Sequence, residues 1–221
     1  MVRILIAIAS LFLPGPLKRL FLTHTLGYRI DTTARIGFSI IICREAVVER
    51  NATIGHFTLI RNLDRLHMRH DSIIGNLNAV VGIRADTPFF RHQNGRTAEL
   101  ILGQHSAITS RHLLDCSNSI RVGAFTTIAG FGSQFLTHSV NLQLNRQESA
   151  PITVGDYCFI GTQCTVLPGS VLPSCSVLGA KALLRTPFTE PWTMYAGVPA
   201  VKLKALPKDW AYFARTKGAV Q

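Results

Sequence analysis

The chain has 221 residues, of which 47% are apolar and 16% are charged, and its formal net charge is +11. This length suits one domain with a sizeable core, and the composition excludes an intrinsically disordered chain. No segment reaches the roughly 18 apolar residues that a membrane-spanning helix needs. The charge favours polyanionic partners, but the basic residues are scattered and form no stripe between aromatic residues, so nucleic acid is not an expected partner.

The first predicted element is a helical segment over residues 1–29. It contains the apolar run 4–13, which ends at the Pro-Gly-Pro sequence 14–16 without the small-residue cleavage site of a signal peptide. Together with the apolar and basic residues 17–22, this segment could lie on the face of a membrane. It could equally cap the open end of the following domain or pack against a second subunit.

Residues 30–200 carry aliphatic residues at every sixth position. One run is Val154, Ile160, Val166, Leu172, Leu178 and Leu184, and a small residue follows four positions after each of its first five members. A second run is Ile30, Ile36, Ile42, Val48, Ile54, Ile60 and Leu66, and a third runs from Leu102 to Ile120. A helix buries every third or fourth residue and a half-buried strand every second, so this period predicts an all-β protein, a parallel β-helix of hexapeptide repeats.

The repeat is interrupted at three places. Residues 84–100 and 130–151 do not follow the period and are predicted to be extruded loops, and the phase slips by two residues between Ile120 and Val122. A rigid coil can carry a loop at its surface without losing its own packing, so we expect function at these interruptions. Residues 201–221 are predicted to form a C-terminal helical tail.

The five cysteines are odd in number and include no Cys-x-x-Cys pair, and Cys158 and Cys164 occupy small inward positions of the repeat. This pattern argues against disulfides and zinc and fits a reducing cytoplasm. Among the eight histidines, His67 and His70 have only a loose ligand spacing, and no third ligand stands out. We therefore expect no metal.

Several motifs follow one another in the second half of the chain. They are the Thr-His loop 137–138, the segment ITVGDYCFIG at 152–161, VLGA at 177–180 and YAGVPA at 195–200. This ordered set resembles the left-handed β-helix acyltransferases of the hexapeptide-repeat superfamily, particularly sugar O-acetyltransferases of the galactoside, maltose and nodulation type and their relatives in surface-polysaccharide biosynthesis. The resemblance implies left-handed coils, a homotrimer, acetyl-CoA as donor and a sugar or saccharide as acceptor.

By this resemblance, His138 is the general base that accepts the proton of a sugar hydroxyl as its oxygen attacks the thioester. An unperturbed imidazole pKa of about 6.5 suits this role near neutral pH. Thr137, His112 and Asp115 are expected at the acceptor site, where Asp115 would bind either a sugar hydroxyl or an imidazole. His112 could instead be structural, because it falls on a small inward position of the repeat.

The resemblance also places the pantetheine arm of acetyl-CoA in a groove between subunits. The residues expected to bind the donor are Gly161, Thr162, Gly179, Ala180, Arg185 and Lys202, the last two near the CoA phosphates. Residues 181–182 and 185–187 depart from the family's usual sequence, which affects individual CoA contacts more than the reaction. The alternatives are a metal enzyme like the γ-carbonic anhydrases and a non-enzymatic assembly module, because the fold alone does not decide between them.

Overall fold

The computed structural model describes residues 2–218. Helix α1 spans Val2–Ala9, a 3-10 helix spans Ser10–Phe12, and helix α2 spans Gly15–Leu26. The chain then forms short strands and turns until helix α3 at Ala211–Ala214. None of the described helices has the length and apolar character needed to span a membrane.

The strands stack into three faces of a parallel β-helix, which the chain visits in the order A, B, C. Face A contains β1 (Arg29–Ile30), the second halves of β3 (Ile40–Val48) and β5 (Leu59–Met68), β8 (Glu99–Leu102), β11 (Ile120–Val122), β16 (Ile152–Val154) and β19 (Val171–Leu172). Face B contains β2 (Arg35–Ile36), β4 (Thr53–Ile54), β6 (Ile73–Ile74), β9 (Ala107–Ile108), β12 (Thr127–Ile128), β17 (Phe159–Ile160), β20 (Val177–Leu178), β22 (Thr193–Ala196) and the antiparallel β23 (Val201–Ala205). Face C contains the first halves of β3 and β5, β7 (Ala79–Val81), β10 (Leu113–Asp115), β13 (Gln134–Leu136), β18 (Thr165–Val166) and β21 (Leu183–Leu184).

The period of six corresponds to one short strand plus one corner. In a two-residue strand one side chain points outward and the next inward, so each hexad places one aliphatic residue in the core. The whole run from Val154 to Leu184 is buried, as are the small residues between its members. Three hexads complete a coil, so Ile160 pairs with Leu178 eighteen residues later. The predicted repeat is confirmed over this part of the chain.

The predicted phase is wrong by one residue in the first coil. Ile42 is only half-buried, whereas its neighbours Ile41 and Cys43 are buried. β3 continues from face C around the corner into face A, and its pairing with β5 contains an irregularity between Ile42 and Cys43. The residue without a partner in this irregularity is Asn62 of β5, so β3 itself keeps the alternation of a strand from Ile41 to Cys43, and Val48 is again in the predicted phase.

Two insertions leave the β-helix at the same corner, between faces C and A, which we call the CA corner. Loop 1 comprises residues 82–98, between β7 and β8, and contains a 3-10 helix at Pro88–Phe90. Loop 2 comprises residues 137–151 and contains an antiparallel hairpin of β14 (His138–Asn141) and β15 (Arg146–Ser149). Loop 2 begins later than the predicted residue 130, because residues 134–136 form a regular strand and Phe135 lies in the core. The phase slip has a simple cause: Ile120 and Val122 both point inward from β11.

The two ends of the β-helix are closed differently. Leu22 and Leu26 of α2 join the core, and Lys18 Nζ donates to the carbonyls of Gly37 and Ser39, both at 2.8 Å. Burial lowers the pKa of Lys18 to about 8. Helix α2 is therefore a cap.

The predicted helical tail begins instead as β23, and only Ala211–Ala214 is helical; residues 219–221 lie outside the described residues.

Candidate active site

The Thr-His loop leaves the β-helix directly after β13. Strand β10 of the preceding coil pairs with β13 so that Asp115 lies opposite Leu136, which brings the Asp115 side chain beside the start of loop 2. His138 Nδ1 lies 2.6 Å from Asp115 Oδ2. Of the two roles predicted for Asp115, the structure therefore shows the second, as a partner for an imidazole.

Asp115 is held by the backbone of the same corner. Its Oδ2 accepts hydrogen bonds from the backbone N–H groups of Thr137, at 3.0 Å, and His138, at 3.1 Å, and its Oδ1 accepts one from Ser117 Oγ at 2.6 Å. The Thr137 hydroxyl donates to the Asp115 carbonyl oxygen at 2.7 Å. Thr137 is fully buried, so the structure gives it a positioning role in place of the predicted acceptor contact.

The two side chains shift each other's pKa in opposite directions. The hydrogen bond with Asp115 raises the pKa of His138, against a smaller opposing effect of burial. Burial alone would raise the pKa of Asp115, but the hydrogen bonds from His138 and Ser117 outweigh it and lower that pKa. An ionised carboxylate only accepts hydrogen bonds, so His138 Nδ1 carries a proton and Nε2 is the basic nitrogen.

The basic nitrogen is accessible. The His138 side chain is 34% exposed, against 9% for Asp115. Among residues 2–218, no group hydrogen-bonds to His138 Nε2. A buried carboxylate that orients an imidazole, with the opposite ring nitrogen open to solvent, is the arrangement that general acid–base catalysis requires.

Loop 1 packs against the imidazole. The Phe90 ring meets the His138 ring edge to face, with 6.4 Å between ring centroids, and the Arg96 guanidinium lies 4.1 Å from the centroid of Phe90. Arg96 is buried and donates to the carbonyls of Ile83, at 2.5 Å, and of Ser117. Arg96 therefore attaches loop 1 to the coil that carries Asp115.

Loop 1 is also attached to loop 2. Gln93 Nε2 donates to the Ser149 carbonyl at 2.9 Å, and Ser149 Oγ donates to Gln93 Oε1 at 2.7 Å. A hollow of about 350 Å³ in loop 1 is lined by residues that include Phe90, Gln93 and Arg96. A larger cavity, of about 550 Å³, lies at another corner. The interrupted repeat predicts loop 1 but none of these contacts, because a contact between two insertions leaves no periodic signal in the sequence.

His112 is a structural residue. It is buried, its Nδ1 accepts a hydrogen bond from the Ser133 backbone N–H at 3.1 Å, and its Nε2 lies 2.9 Å from Thr109 Oγ1. Burial lowers its pKa to about 4. Both ring nitrogens of His112 thus interact with other residues of the chain. This supports the alternative that His112 is structural over its predicted contact with the acceptor.

Four of the expected donor-binding residues lie at the corner between faces B and C, the BC corner. Gly161 and Thr162 follow β17, and Gly179 and Ala180 follow β20 in the next coil. A Cβ atom on Gly161 would lie 2.6 Å from the Ala180 nitrogen, and one on Gly179 would lie 2.9 Å from Ala196 Cβ. Close stacking of coils therefore accounts for both glycines without a ligand.

The two basic residues expected near CoA lie elsewhere. Arg185 is exposed and directly follows β21, so it lies at the CA corner, on the same edge as His138. Lys202 lies on β23 and pairs with Glu190, which raises its pKa. Within one chain, the BC corner with Gly161 and Gly179 and the CA corner with His138 therefore lie apart.

Comparisons with known proteins agree with this fold. By sequence, neither a protein-family model nor a curated protein matches the chain. By structure, the chain is similar to the polysialic acid O-acetyltransferase OatWY, with 18% identity, a TM-score of 0.61, and coverage of 86% of this chain and 90% of OatWY. It is similar to a hexapeptide-repeat-containing acetyltransferase from Vibrio cholerae, with 22% identity, a TM-score of 0.51, and coverage of 64% of this chain and 74% of the other.

A third similar structure is AntD, an N-acyltransferase from Bacillus cereus, in complex with dTDP and 3-hydroxybutyryl-CoA. The identity is 15% and the TM-score 0.51, over 79% of this chain and 84% of AntD. At these identities the likeness establishes the fold. The chain is a left-handed parallel β-helix with the architecture of the hexapeptide-repeat acyltransferases, which confirms the predicted fold class.

Proposed function

We propose that this protein is an acyltransferase that moves an acetyl group from acetyl-CoA to a hydroxyl of a sugar in a surface polysaccharide or glycoconjugate. The observation that carries the proposal is the pair formed by His138 and Asp115, with a hydrogen-bond distance of 2.6 Å and an accessible Nε2 between two loops. The fold shared with OatWY and AntD supports the same class of reaction.

The proposed mechanism is direct transfer. His138 Nε2 removes the proton of the acceptor hydroxyl as the hydroxyl oxygen attacks the thioester carbonyl, and ionised Asp115 stabilises the imidazolium that forms. The tetrahedral intermediate then collapses, the carbon–sulfur bond breaks, and the imidazolium returns its proton to the leaving CoA sulfur. A backbone N–H of a neighbouring coil would stabilise the oxyanion.

A homotrimer would complete the site. His138 and Arg185 lie on the CA corner and the predicted pantetheine-binding residues on the BC corner, so the CA corner of one chain would have to face the BC corner of its neighbour to enclose acetyl-CoA. In this arrangement Arg185 would meet the CoA phosphates. Sedimentation equilibrium should give a trimer, and a fully active monomer would contradict this part of the proposal.

The acceptor would bind between loops 1 and 2, beside Phe90 and Gln93. The neighbours suggest a saccharide: OatWY is described as acting on polysialic acid, and a variant of AntD holds dTDP-4-amino-4,6-dideoxyglucose with coenzyme A. We further propose a cytoplasmic location at the inner face of the membrane. All five cysteines are free, and α1 exposes the apolar residues Val2, Ile4, Leu5 and Ile8 for peripheral contact with lipid.

The test is acetyl transfer from labelled acetyl-CoA to candidate saccharides, followed by mass spectrometry of the acceptor. His138→Ala should lower the rate at least about a hundredfold, the lower bound for general-base assistance, while the oligomer stays folded. His24→Ala, which alters an exposed histidine of α2 away from both loops, is the control and should retain activity. Full activity of His138→Ala would end the general-base assignment and favour an assembly module.

A further inference from the structure

A second group of titratable side chains lies at the corner between faces A and B, the AB corner. His70 and Asp71 precede strand β6, and His105 precedes strand β9 of the next coil. β6 and β9 pair directly, and the His105 N–H donates to the His70 carbonyl at 3.1 Å. The backbone therefore holds the three residues at one place, although loop 1 separates His105 from the other two in the sequence.

The three side chains converge on one point. Each has a ligand atom within 4.8 Å of the other two. Asp71 Oδ2 lies 2.9 Å from His70 Nδ1 and 3.9 Å from His105 Nε2. The ligand atoms of a tetrahedral zinc ion, with bonds of about 2.0–2.1 Å, lie roughly 3.3 Å apart. Small side-chain rotations would therefore give a metal-binding geometry.

Neighbouring side chains orient these ligands. His70 Nε2 lies 2.9 Å from Gln104 Oε1, and Asn51 Nδ2 donates to Asp71 Oδ1 at 3.0 Å. Histidine ligands commonly donate their second ring N–H to such an oxygen, which fixes the tautomer and directs the other nitrogen toward the ion. If Gln104 accepts the Nε2 proton, the Nδ1 lone pair of neutral His70 points at the Asp71 carboxylate. A cation between the two atoms removes this repulsion.

The group is accessible to solvent. The side chains of His70, Asp71 and His105 are 26%, 28% and 21% exposed. Asp71 and His105 line the cavity of about 550 Å³, together with Thr127 and Lys217. An ion bound here would thus have open coordination positions facing a solvent-filled space, as three-ligand zinc sites do.

We propose that His70, Asp71 and His105 bind a divalent first-row transition-metal ion, such as zinc. Two imidazoles and a carboxylate suit zinc, cobalt or iron better than magnesium or calcium. This ligand set differs from the pair His67 and His70 considered in the sequence. His67 does not belong to it, because its Nε2 lies 2.8 Å from the Glu49 carboxylate. The sequence does not indicate these three ligands together, because loop 1 separates His105 from His70 and Asp71 along the chain.

The site is independent of the proposed catalytic pair. His138 lies at the CA corner, on a different edge of the β-helix from the AB corner. An ion at the AB corner would join two consecutive coils that the chain connects through loop 1. We therefore expect it to stabilise the fold.

The experiment is binding of Zn²⁺ to the chelator-treated full chain by calorimetry, with the visible absorption of the Co²⁺ form as a second measurement. The expected result is one ion per chain with a Kd of about 1 µM or lower, together with a higher thermal midpoint. Asp71→Asn and His105→Gln should each weaken binding at least about tenfold, because each removes one ligand. His92→Gln and His138→Gln are the controls and should bind like the unaltered protein.

Three outcomes would overturn the assignment. They are absence of stoichiometric binding to the unaltered chain, equal binding by Asp71→Asn and His105→Gln, and loss of the ion in His138→Gln alone. Circular dichroism of each variant separates a lost ligand from a lost fold. If a variant unfolds, the Co²⁺ spectrum of the unaltered chain decides, because tetrahedral ligation by imidazole nitrogens gives d–d bands that are far more intense, and at longer wavelength, than those of the octahedral aqueous ion.

Discussion

Replacing Asp115 with asparagine tests the central claim about the active site, that a buried negative charge stabilises protonated His138 during transfer. The variant keeps the size and shape of the side chain. Its amide oxygen can still accept from the backbone N–H groups of Thr137 and His138, now at 3.0 and 3.1 Å, if the amide nitrogen turns toward the Ser117 hydroxyl. The substitution therefore removes the charge together with one hydrogen bond, the one that Asp115 Oδ1 accepts from the Ser117 backbone N–H at 3.2 Å.

The size of the effect follows from the geometry. Two unit charges about 4 Å apart interact by about 4 kcal/mol at an effective dielectric constant of 20. The His138 side chain is 34% exposed, so solvent screens part of this interaction. We take about 2–3 kcal/mol as the loss, and since about 1.4 kcal/mol is a tenfold change in rate, transfer should slow roughly thirty- to a hundredfold.

The pH dependence separates this role from a purely structural one. The hydrogen bond with Asp115 raises the pKa of His138, so the rate of the unaltered enzyme should rise with pH through a midpoint above the ordinary histidine value. Without the negative charge, the imidazolium is less stable and the midpoint should move to lower pH. The KM for each substrate should change little.

The assay is the initial rate of acetyl transfer between pH 5 and pH 9, with Asp31→Asn as the control. Asp31 is an exposed carboxylate near the capped end of the β-helix, so its replacement removes the same charge away from loops 1 and 2. A slower Asp115→Asn enzyme with an unchanged pH midpoint would refute the electrostatic argument. Such a result would leave Asp115 as a support for the loop 2 backbone only.

Three further predictions concern stability and the acceptor. The pKa of His112 is about 4 in the folded protein, below its value in the unfolded chain, so the protein loses stability as the pH falls. Urea unfolding should give a free energy of unfolding about 2–3 kcal/mol lower at pH 4.5 than at pH 7, and His112→Gln should lack this contribution. Ile74→Ala should lower the free energy of unfolding by about 2–5 kcal/mol and its outward neighbour Ile73→Ala, 45% exposed, by far less; equal losses would contradict the inward register. Arg96→Ala leaves the Ile83 carbonyl unpaired and should raise the acceptor KM but not the donor KM in steady-state kinetics; unchanged acceptor kinetics would argue against loop 1 as part of the acceptor site.

The core of the β-helix could be predicted from sequence because each hexad is a local unit. Val154 and Ile160 each belong to one short strand followed by one corner. Their inward position therefore follows from the local sequence, without a contact to a distant part of the chain. The prediction fails at Ile42, where β3 continues around a corner and its strand alternation places Ile41 and Cys43 inward. This continuous strand depends on the pairing of β3 with β5, in the next coil, so the sequence of the first coil alone does not predict it.

The active-site prediction had a different limit. The Thr-His motif predicts His138 as the general base, which stays a prediction, and the sequence leaves two possible partners for the nearby carboxylate of Asp115. Choosing between them requires the pairing of Asp115 with Leu136, and this pairing depends on the length of the coil between them. His70 and His105 illustrate the same limit, because they become neighbours only when loop 1 is looped out of the intervening coil.

The two insertions have a shared consequence for specificity. Asp115 lies at the end of a regular strand of the coil between loops 1 and 2, so its position is set by the ladder of face C. The groups around His138 come from the insertions instead, and Gln93 and Ser149 join them to each other. If the acceptor binds there as proposed, substitutions in the loops would change which acceptor fits while the hydrogen bond to His138 Nδ1 stays in place. Under the proposed function, this division would let one repeat scaffold support transfer to different acceptors.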